Sequence, residues 1–185
     1  NNDEIDFSNY DHVVVFHAGI GQDFSLPFLD PTPEDIPSTF IDGDMLQEFV
    51  GGVLQFGTTT INQGIILPET QNHLFYQEYE NIFFDTEEPC DYQYGLTGTF
   101  ALMLGFAIGL PPLWDTNSGQ SGIGIFGLMD QGSNNGRGLI PAPPDAWSRK
   151  FAGWELPLIA IPSNMINLPS RSEDNLVQIP INESE

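Results

Sequence analysis

The feature that most constrains the fold of this chain is an uncharged stretch from Gly95 to Trp114. Its length approaches the roughly 20 apolar residues that a membrane-spanning helix needs. However, Pro111-Pro112 would end a helix early, because proline lacks the backbone N–H and clashes with the preceding turn. The flanking charges are acidic, whereas membrane anchors carry Lys or Arg at their ends. The sequence therefore predicts a buried core helix over residues 96–110, with Thr97 or Thr99 as its N-cap.

Composition and charge restrict the classes of function that we expect. With 185 residues, 40% of them hydrophobic, the chain is long enough to bury the core of one ordinary domain. It carries 26 acidic residues against four basic ones, a net charge of −22. Nucleic acids and anionic membrane surfaces bind proteins through Lys and Arg, so we predict that the chain binds neither. The acidic excess favours a solvated acidic face that binds no specific ligand, with a basic partner or cation-rich surroundings as the alternative.

The single cysteine, Cys90, cannot form a disulfide within the chain or contribute to a Cys-rich metal site. It lies in the acidic segment 85–91, where neighbouring carboxylates disfavour a thiolate. We therefore expect an unreactive structural thiol, with an intermolecular bridge as the alternative.

Apolar runs and turn residues predict the order of the other elements. Val13–Phe16 is a mostly β-branched run that predicts a buried central strand. Prolines within residues 22–44 predict an irregular loop or lid, and residues 40–66 predict short strands and hairpins. We further expect a strand that ends at Pro68, followed by a helix or an aromatic-lined surface over residues 73–84.

The C-terminal part predicts one more helix and two strands. Asp145–Phe151 begins with an acidic residue after two prolines and ends with Arg-Lys before Gly153, which suits the helix dipole. Residues 159–161 and 176–181 are strand-like. We expect residues 156–185 to be a strand-forming extension with an acidic tail.

Three segments, taken in order, carry a family resemblance. Asp11–Gly19 is an apolar strand that ends in His-Ala-Gly, Gly109–Asp115 reads Gly-Leu-Pro-Pro-Leu-Trp-Asp, and Gly124–Ser133 contains Met129 in a Gly-Leu-Met-Asp turn. They are similar to the strand at the edge of the active site, the tail of the zinc-binding helix and the Met-turn of the M6 peptidase-like family. This family is the immune inhibitor A group of secreted bacterial metalloproteases.

The resemblance implies a fold class and a domain organisation. We expect an α/β (α+β) protein with a zincin-like metalloprotease fold, a mixed sheet and a buried former active-site helix. Residues 1–155 would form the degenerate M6 peptidase-like domain without its N-terminal part, since the strand at 13–16 comes almost at the start of the sequence. The chain would therefore be one piece of a larger polypeptide or complex.

The zinc motif of such proteases, H-E-x-x-H-x-x-G-x-x-H, is degenerate in this chain. Leu102 and Phe106 occupy the first two histidine positions, Met103 the glutamate position and Pro112 the third ligand position, while Gly109 keeps the glycine. None of the ligand positions has a nitrogen, oxygen or sulfur donor suited to zinc, and Met103 cannot act as a base. The motif therefore predicts no zinc and no zinc-dependent catalysis. An ordinary core helix without a catalytic ancestor is the alternative.

Other residues give weaker indications of a site. Of the three histidines His12, His17 and His73, the first two would point to opposite faces of a strand, and a hydrogen-bonded structural role is the expectation for each. His17 is the better functional candidate, because it would end a strand near the former cleft. No G-x-S-x-G motif indicates a serine nucleophile.

Calcium is the metal ion that the sequence favours over zinc. Asp115–Gly119 places oxygen donors, including those of Asp115 and Asn117, before a glycine, as calcium loops do. The Glu that closes a twelve-residue calcium loop is missing, so an Asx turn is the expectation and a calcium site is the alternative.

Taken together, these patterns predict a catalytically inactive, secreted metalloprotease-like domain with a binding or structural role in an extracellular assembly. We assign no catalytic, cofactor-binding or metal-ligating residue. The expected partner is another protein or the remainder of a larger polypeptide, in an oligomer or filament. A calcium-binding adhesion or matrix module and a hydrolase with a displaced site are the alternatives.

Overall fold

The computed structural model of the chain describes residues 6–24, 34–71, 94–161, 165–168 and 176–181. Within these ranges the protein is a mixed α/β structure with one three-stranded and two two-stranded sheets. The strands are β1 (Val14–Ile20), β2 (Thr39–Ile41), β3 (Leu54–Phe56), β4 (Thr59–Ile61), β5 (Gly64–Thr70), β6 (Leu158–Ile159) and β7 (Val177–Gln178). The α-helices are α1 (Gly43–Val50), α2 (Thr97–Ala107) and α3 (Ala146–Phe151).

The main sheet has the strand order β1-β5-β2. β5 pairs in parallel with β1 and antiparallel with β2, so the predicted mixed sheet is confirmed. The prediction that Val13–Phe16 forms a buried central strand is wrong. In the described part of the sheet β1 lies at an edge, Phe16 is 62% exposed, and the buried side chains Ile65 and Leu67 belong to the central strand β5. A β-branched run indicates a strand, but it does not show on how many sides the strand is covered.

The strand β5 continues to Thr70 and does not end at Pro68, as the sequence had predicted. Proline cannot donate to a ladder, so it is seldom found within a central strand. Here β2 pairs only with residues 64–66 of β5, and the register with β1 shifts after the His17–Pro68 pair. Pro68 therefore lies where the ladder is already interrupted.

A network of polar side chains lies at the end of the main sheet where β1 and β5 finish and β2 begins. Asp23 accepts hydrogen bonds from the backbone N–H of Ser38 at 2.9 Å, from its hydroxyl at 2.7 Å, and from Nε2 of Gln71 at 3.0 Å. The same Nε2 lies 3.1 Å from the hydroxyl of Thr99 in the first turn of α2. Ser38, Gln71 and Thr99 are all buried, so these bonds attach the helix to the sheet with little competition from water.

The helix α1 replaces part of the short-strand region that the sequence predicted over residues 40–66. Asp42 caps it by accepting a hydrogen bond from the N–H of Met45 at 2.9 Å, and Gly51 ends it in the left-handed region at φ 81°. The hairpin of β3 and β4 that follows agrees with the prediction for this region.

The predicted helix over residues 96–110 is present as α2, and Gly109 follows it with φ 92°. The predicted threonine caps are wrong. Leu96 is the N-cap and makes no side-chain bond, while Thr99 is directed into the buried network. The helix is also half-buried rather than buried, since Phe100 is 39% exposed.

The described residues include no helix that is long and apolar enough to cross a membrane.

The predicted helix α3 is confirmed. It is also linked to the C-terminal strands through Glu155. Asp145 caps it by accepting from the N–H groups of Trp147 and Ser148 at 2.8 and 3.1 Å. Glu155 then joins the two parts: one oxygen pairs with Nε of Arg149 at 2.8 Å and the other accepts from the N–H of Leu176 at 2.8 Å. β6 and β7 pair in parallel next to this contact.

Replacing Glu155 with Ala should loosen the C-terminal strand β7. Leu176 is buried, so its N–H would lose a charge-assisted acceptor, and we expect a loss of about 1–2 kcal/mol in the free energy of unfolding. Hydrogen exchange should quicken at Leu176 and its neighbours. Glu48→Ala on the exposed side of α1 is the control. If the hydrogen-exchange rates were unchanged in Glu155→Ala, apolar burial alone would keep this strand in place.

Candidate functional site

The positions that the sequence analysis aligned with a zinc motif lie beside a buried methionine. Met129 is fully buried and forms a small core cluster with Leu110 and Leu128. Leu102 and Phe106 of α2 are half-buried and pack against this cluster. The structure thus brings together the first two predicted ligand positions and the predicted Met-turn methionine.

Aromatic side chains surround the second of these positions. The ring of Phe106 stacks near that of Phe40 from β2, with centroids 6.1 Å apart, and meets Trp114 edge-to-face at 5.8 Å. Such pairs contribute about 0.5–1.5 kcal/mol beyond the area they bury. Met103 and Pro112, the other two substituted positions, are half-buried. The side chains around α2 therefore act as packing groups.

The strand next to α2 differs from the one that the sequence indicated. α2 packs against β2 and β5, whereas β1 lies on the opposite side of β5 from β2. The sequence had placed Asp11–Gly19, which contains β1, at the edge of the site. The strand beside α2 is the antiparallel β2, which falls in the region where short strands were predicted but which nothing in the sequence placed next to this helix.

The backbone at the start of α2 is in direct contact with the backbone of the loop that follows Met129. The N–H groups of Gly95 and Gly98 donate to the carbonyl oxygens of Arg137 and Gly138, each at 2.8 Å. A Cβ atom on Gly98 would overlap the carbonyl oxygen of Ser133 and lie 2.8 Å from its carbonyl carbon. Only glycine permits this approach, so the position of the loop relative to the helix depends on it.

Asp130, next to Met129, organises the loop that precedes the methionine. Its Oδ2 accepts hydrogen bonds from the hydroxyl of Ser121 at 2.8 Å and from three consecutive backbone N–H groups at 2.8–2.9 Å, those of residues 122–124. Its Oδ1 accepts from the N–H of Gln131 at 2.8 Å. The side chain is 4% exposed, so this carboxylate replaces water as the partner of five donors.

These contacts also set the charge state of Asp130. Burial is the largest single influence on its pKa and would raise it. The hydrogen bonds from Gly124, Ser121, Ile123 and Gln131 together outweigh burial and hold the pKa below its ordinary value of 3.8. Asp130 is therefore an ionised structural group rather than an acid or base for catalysis.

An open pocket of about 260 Å³ lies over Leu102, between α2 and the loops around Asp130. Its other lining residues are Trp114, Gly119, Asp130, Gln131, Ser133 and Asn134. Gln131 and Asn134 are exposed. Among the described residues, no hydrogen bond involves the side-chain amide group of either one. Polar amides and the apolar surfaces of Leu102 and Trp114 thus share one concavity.

Neither a family model, nor a characterised protein, nor a solved structure matches this chain significantly.

The described histidines are engaged with the protein itself. His12 precedes β1, and its Nδ1 lies 3.3 Å from Nε2 of Gln63, which also donates to the carbonyl oxygen of Ala107 at 3.3 Å. The nitrogens of His17 lie 3.0 and 3.2 Å from the carbonyl oxygens of Ala18 and Ile36. A metal ligand needs an open lone pair on an imidazole nitrogen, and both nitrogens of His17 face oxygen atoms. His73 and Cys90 lie outside the described residues.

The candidate calcium loop forms an Asx turn. Oδ1 of Asp115 accepts from the N–H of Asn117 at 2.8 Å and from that of Ser118 at 3.3 Å. The bond from Asn117 is the main reason that the pKa of the exposed Asp115 is lowered. Among the described residues no three His, Cys, Asp or Glu side chains form a group that could hold a metal ion. The expected Asx turn is confirmed, and calcium binding at Asp115 stays an untested alternative.

The sequence did not indicate the role of Asp130 or the pocket. Asp130 was recognised only as part of the Met-turn segment, because its partners are mainly backbone N–H groups that no residue spacing reveals. The available signal was the glycine-rich run before it, since consecutive N–H groups in such turns form anion-binding concavities.

Proposed function

We propose that this chain is a catalytically inactive, secreted metalloprotease-like domain of zincin-like fold, with a binding role in an extracellular assembly. One observation carries the proposal: Leu102 and Phe106, at the positions of the first two zinc ligands, pack against the core cluster that contains the fully buried Met129. This arrangement of helix and methionine is what the resemblance to the M6 peptidase-like family implies. An unrelated core helix would not require Met129 at that place.

The chemistry of these side chains supports inactivity. A catalytic zinc needs three protein ligands and an open position for water, and the base that activates the water must accept a proton. Leu102, Phe106 and Met103 offer neither zinc ligands nor a base. Burial of such side chains also stabilises the fold, by about 1.5–3 kcal/mol for each one that is fully buried. The substitutions are therefore consistent with a scaffold kept for purposes other than cleavage.

The negative charge supports a protein partner with a basic surface. With 26 acidic residues and four basic ones, the chain attracts positively charged surfaces and repels copies of itself at low ionic strength. Association should therefore weaken as salt is added, because screening shortens the reach of surface charges.

Zinc content and peptidase activity of the full chain test the proposal. We expect well under one zinc per chain by mass spectrometry after dialysis against zinc, and no cleavage of unfolded casein. The triple variant Leu102→Ala, Met103→Ala, Phe106→Ala is the matched control for cleavage by contaminants, since any activity it retains cannot come from these positions. One tightly held zinc per wild-type chain, with cleavage that a chelator stops, would contradict the proposal.

A further inference from the structure

We infer that the pocket over Leu102 binds one ring of a neutral carbohydrate. The inference rests on the proposed function, since it gives the inactive domain a ligand at the place of its former active site. It depends on the charge state of the lining, on the mixture of polar and apolar surfaces, and on the size of the pocket.

The lining excludes charged ligands. Among the described residues, Asp130 is the only ionisable one that lines the pocket, and four donors already surround its Oδ2 while a fifth binds Oδ1. A carboxylate offers about four lone-pair sites, so five donors on Asp130 leave it little capacity to bind a cation. None of the described lining residues is a Lys, Arg or His that would attract an anion, and the net charge of −22 repels one. A neutral ligand remains.

The remaining side chains suit a ligand with both hydroxyl groups and an apolar face. The amides of Gln131 and Asn134 are exposed and supply donors and acceptors at the rim. Trp114 and Leu102 supply apolar surface that is half-buried. A pyranose ring has this combination, since its C–H groups pack on aromatic and aliphatic carbon while its hydroxyl groups reach amides.

The size of the pocket limits the ligand to a single ring. Pockets for drug-sized molecules span about 300–1,000 Å³, and this one has about 260 Å³ and is open to solvent. A longer glycan would therefore place one residue in the pocket and leave the others in water. For so shallow a site we expect a Kd of about 1 mM for a monosaccharide.

A glycan array followed by titration tests the inference. The full chain should bind a set of neutral glycans and leave sulfated and sialylated ones unbound. Methyl glycosides of the terminal residue should then titrate into the wild-type chain by NMR. Asn134→Ala should weaken binding about tenfold, and Trp114→Ala should abolish it.

Two controls separate a lost contact from lost structure. Asn117→Ala changes an exposed amide outside the pocket and should keep wild-type affinity. Trp114→Phe retains an aromatic ring against Phe106 and should retain measurable binding, which shows that the site survives the change.

The inference fails if no neutral glycan binds, if Asn134→Ala leaves the affinity unchanged, or if charged glycans bind better than neutral ones. Binding of an unmodified peptide that a methyl glycoside does not displace would also overturn it. Any of these results together with absent zinc would leave the proposed inactivity intact. Stoichiometric zinc would instead overturn the proposed function.

Discussion

Replacing Asp130 with Asn should lower the free energy of unfolding by about 3 kcal/mol, which at this chain length lowers Tm by roughly 6–12 °C. The carboxylate accepts five hydrogen bonds in a buried place. Bonds to a charged acceptor contribute about 1.5–3 kcal/mol each, against about 1 kcal/mol for a neutral one. In addition, the side-chain NH₂ group of Asn would replace one of the two carboxylate oxygens and would face a hydrogen-bond donor there. Thermal unfolding followed by circular dichroism measures the effect.

The same residue should make the protein sensitive to acid. Because the pKa of Asp130 is held below its ordinary value of 3.8, its contribution to stability is fully present above about pH 4. The contribution is lost as the pH falls further, towards the lowered pKa of the folded state. The wild-type protein should therefore lose stability below pH 4 more steeply than Asp130→Asn does.

Asp115→Asn is the matched control, since it makes the same change at an exposed Asx turn in the neighbouring loop. It should leave Tm nearly unchanged. If Asp130→Asn were as stable as Asp115→Asn at pH 7, the loop of residues 121–124 would not depend on the buried carboxylate.

Gly98→Ala should destabilise the protein by about 2–3 kcal/mol, although Ala is normally the better helix former by about 1 kcal/mol. The new methyl group would overlap backbone atoms of Ser133, and backbone cannot move aside as a flexible side chain can. The loop of residues 131–134 would have to shift, and the pocket over Leu102 would change shape with it. Urea unfolding measures the loss, and the chemical shifts of Gln131 and Asn134 report the shift of the loop.

Gly43→Ala at the first residue of α1 is the control for this change. Its added Cβ would meet only the carbonyl oxygen of Asn62 at an ordinary 3.7 Å. We expect a neutral or slightly stabilising effect there. A Gly98→Ala variant as stable as Gly43→Ala would show that helix and loop are not in direct backbone contact.

The sequence predicted those elements that carry their own local signals. The helix α3 begins at an acidic cap that follows two prolines, and α2 is followed by a glycine and then by two prolines. Both helices were therefore predicted within a few residues of their observed bounds. The helix α1 also had such signals in Asp42 and Gly51, but the many apolar residues around it were interpreted as strands. Apolar patterns in short segments fit both structures.

Features that depend on distant partners could not be predicted in the same way. β1 has the composition of a buried strand, but its position at the sheet edge depends on which strands pair, and pairing is a long-range property. The pocket is formed by residues 102, 114 and 119 together with residues 130–134, which meet only after the chain has folded. The motif positions on α2 were assigned from the resemblance to the zinc motif, and helical spacing then predicted that residues 102 and 106 lie on one face.

The glycines at the start of α2 have a consequence for how sequences of this kind can diverge. An apolar position such as Leu102 or Phe106 accepts other side chains of similar volume. Gly98 accepts none, because any substituent meets backbone. In a complete substitution library, positions 102 and 106 should therefore vary among apolar residues while Gly98 stays fixed. Over long divergence, the position of this loop against the helix would be preserved by a residue that has no side chain, while the apolar residues of the helix changed.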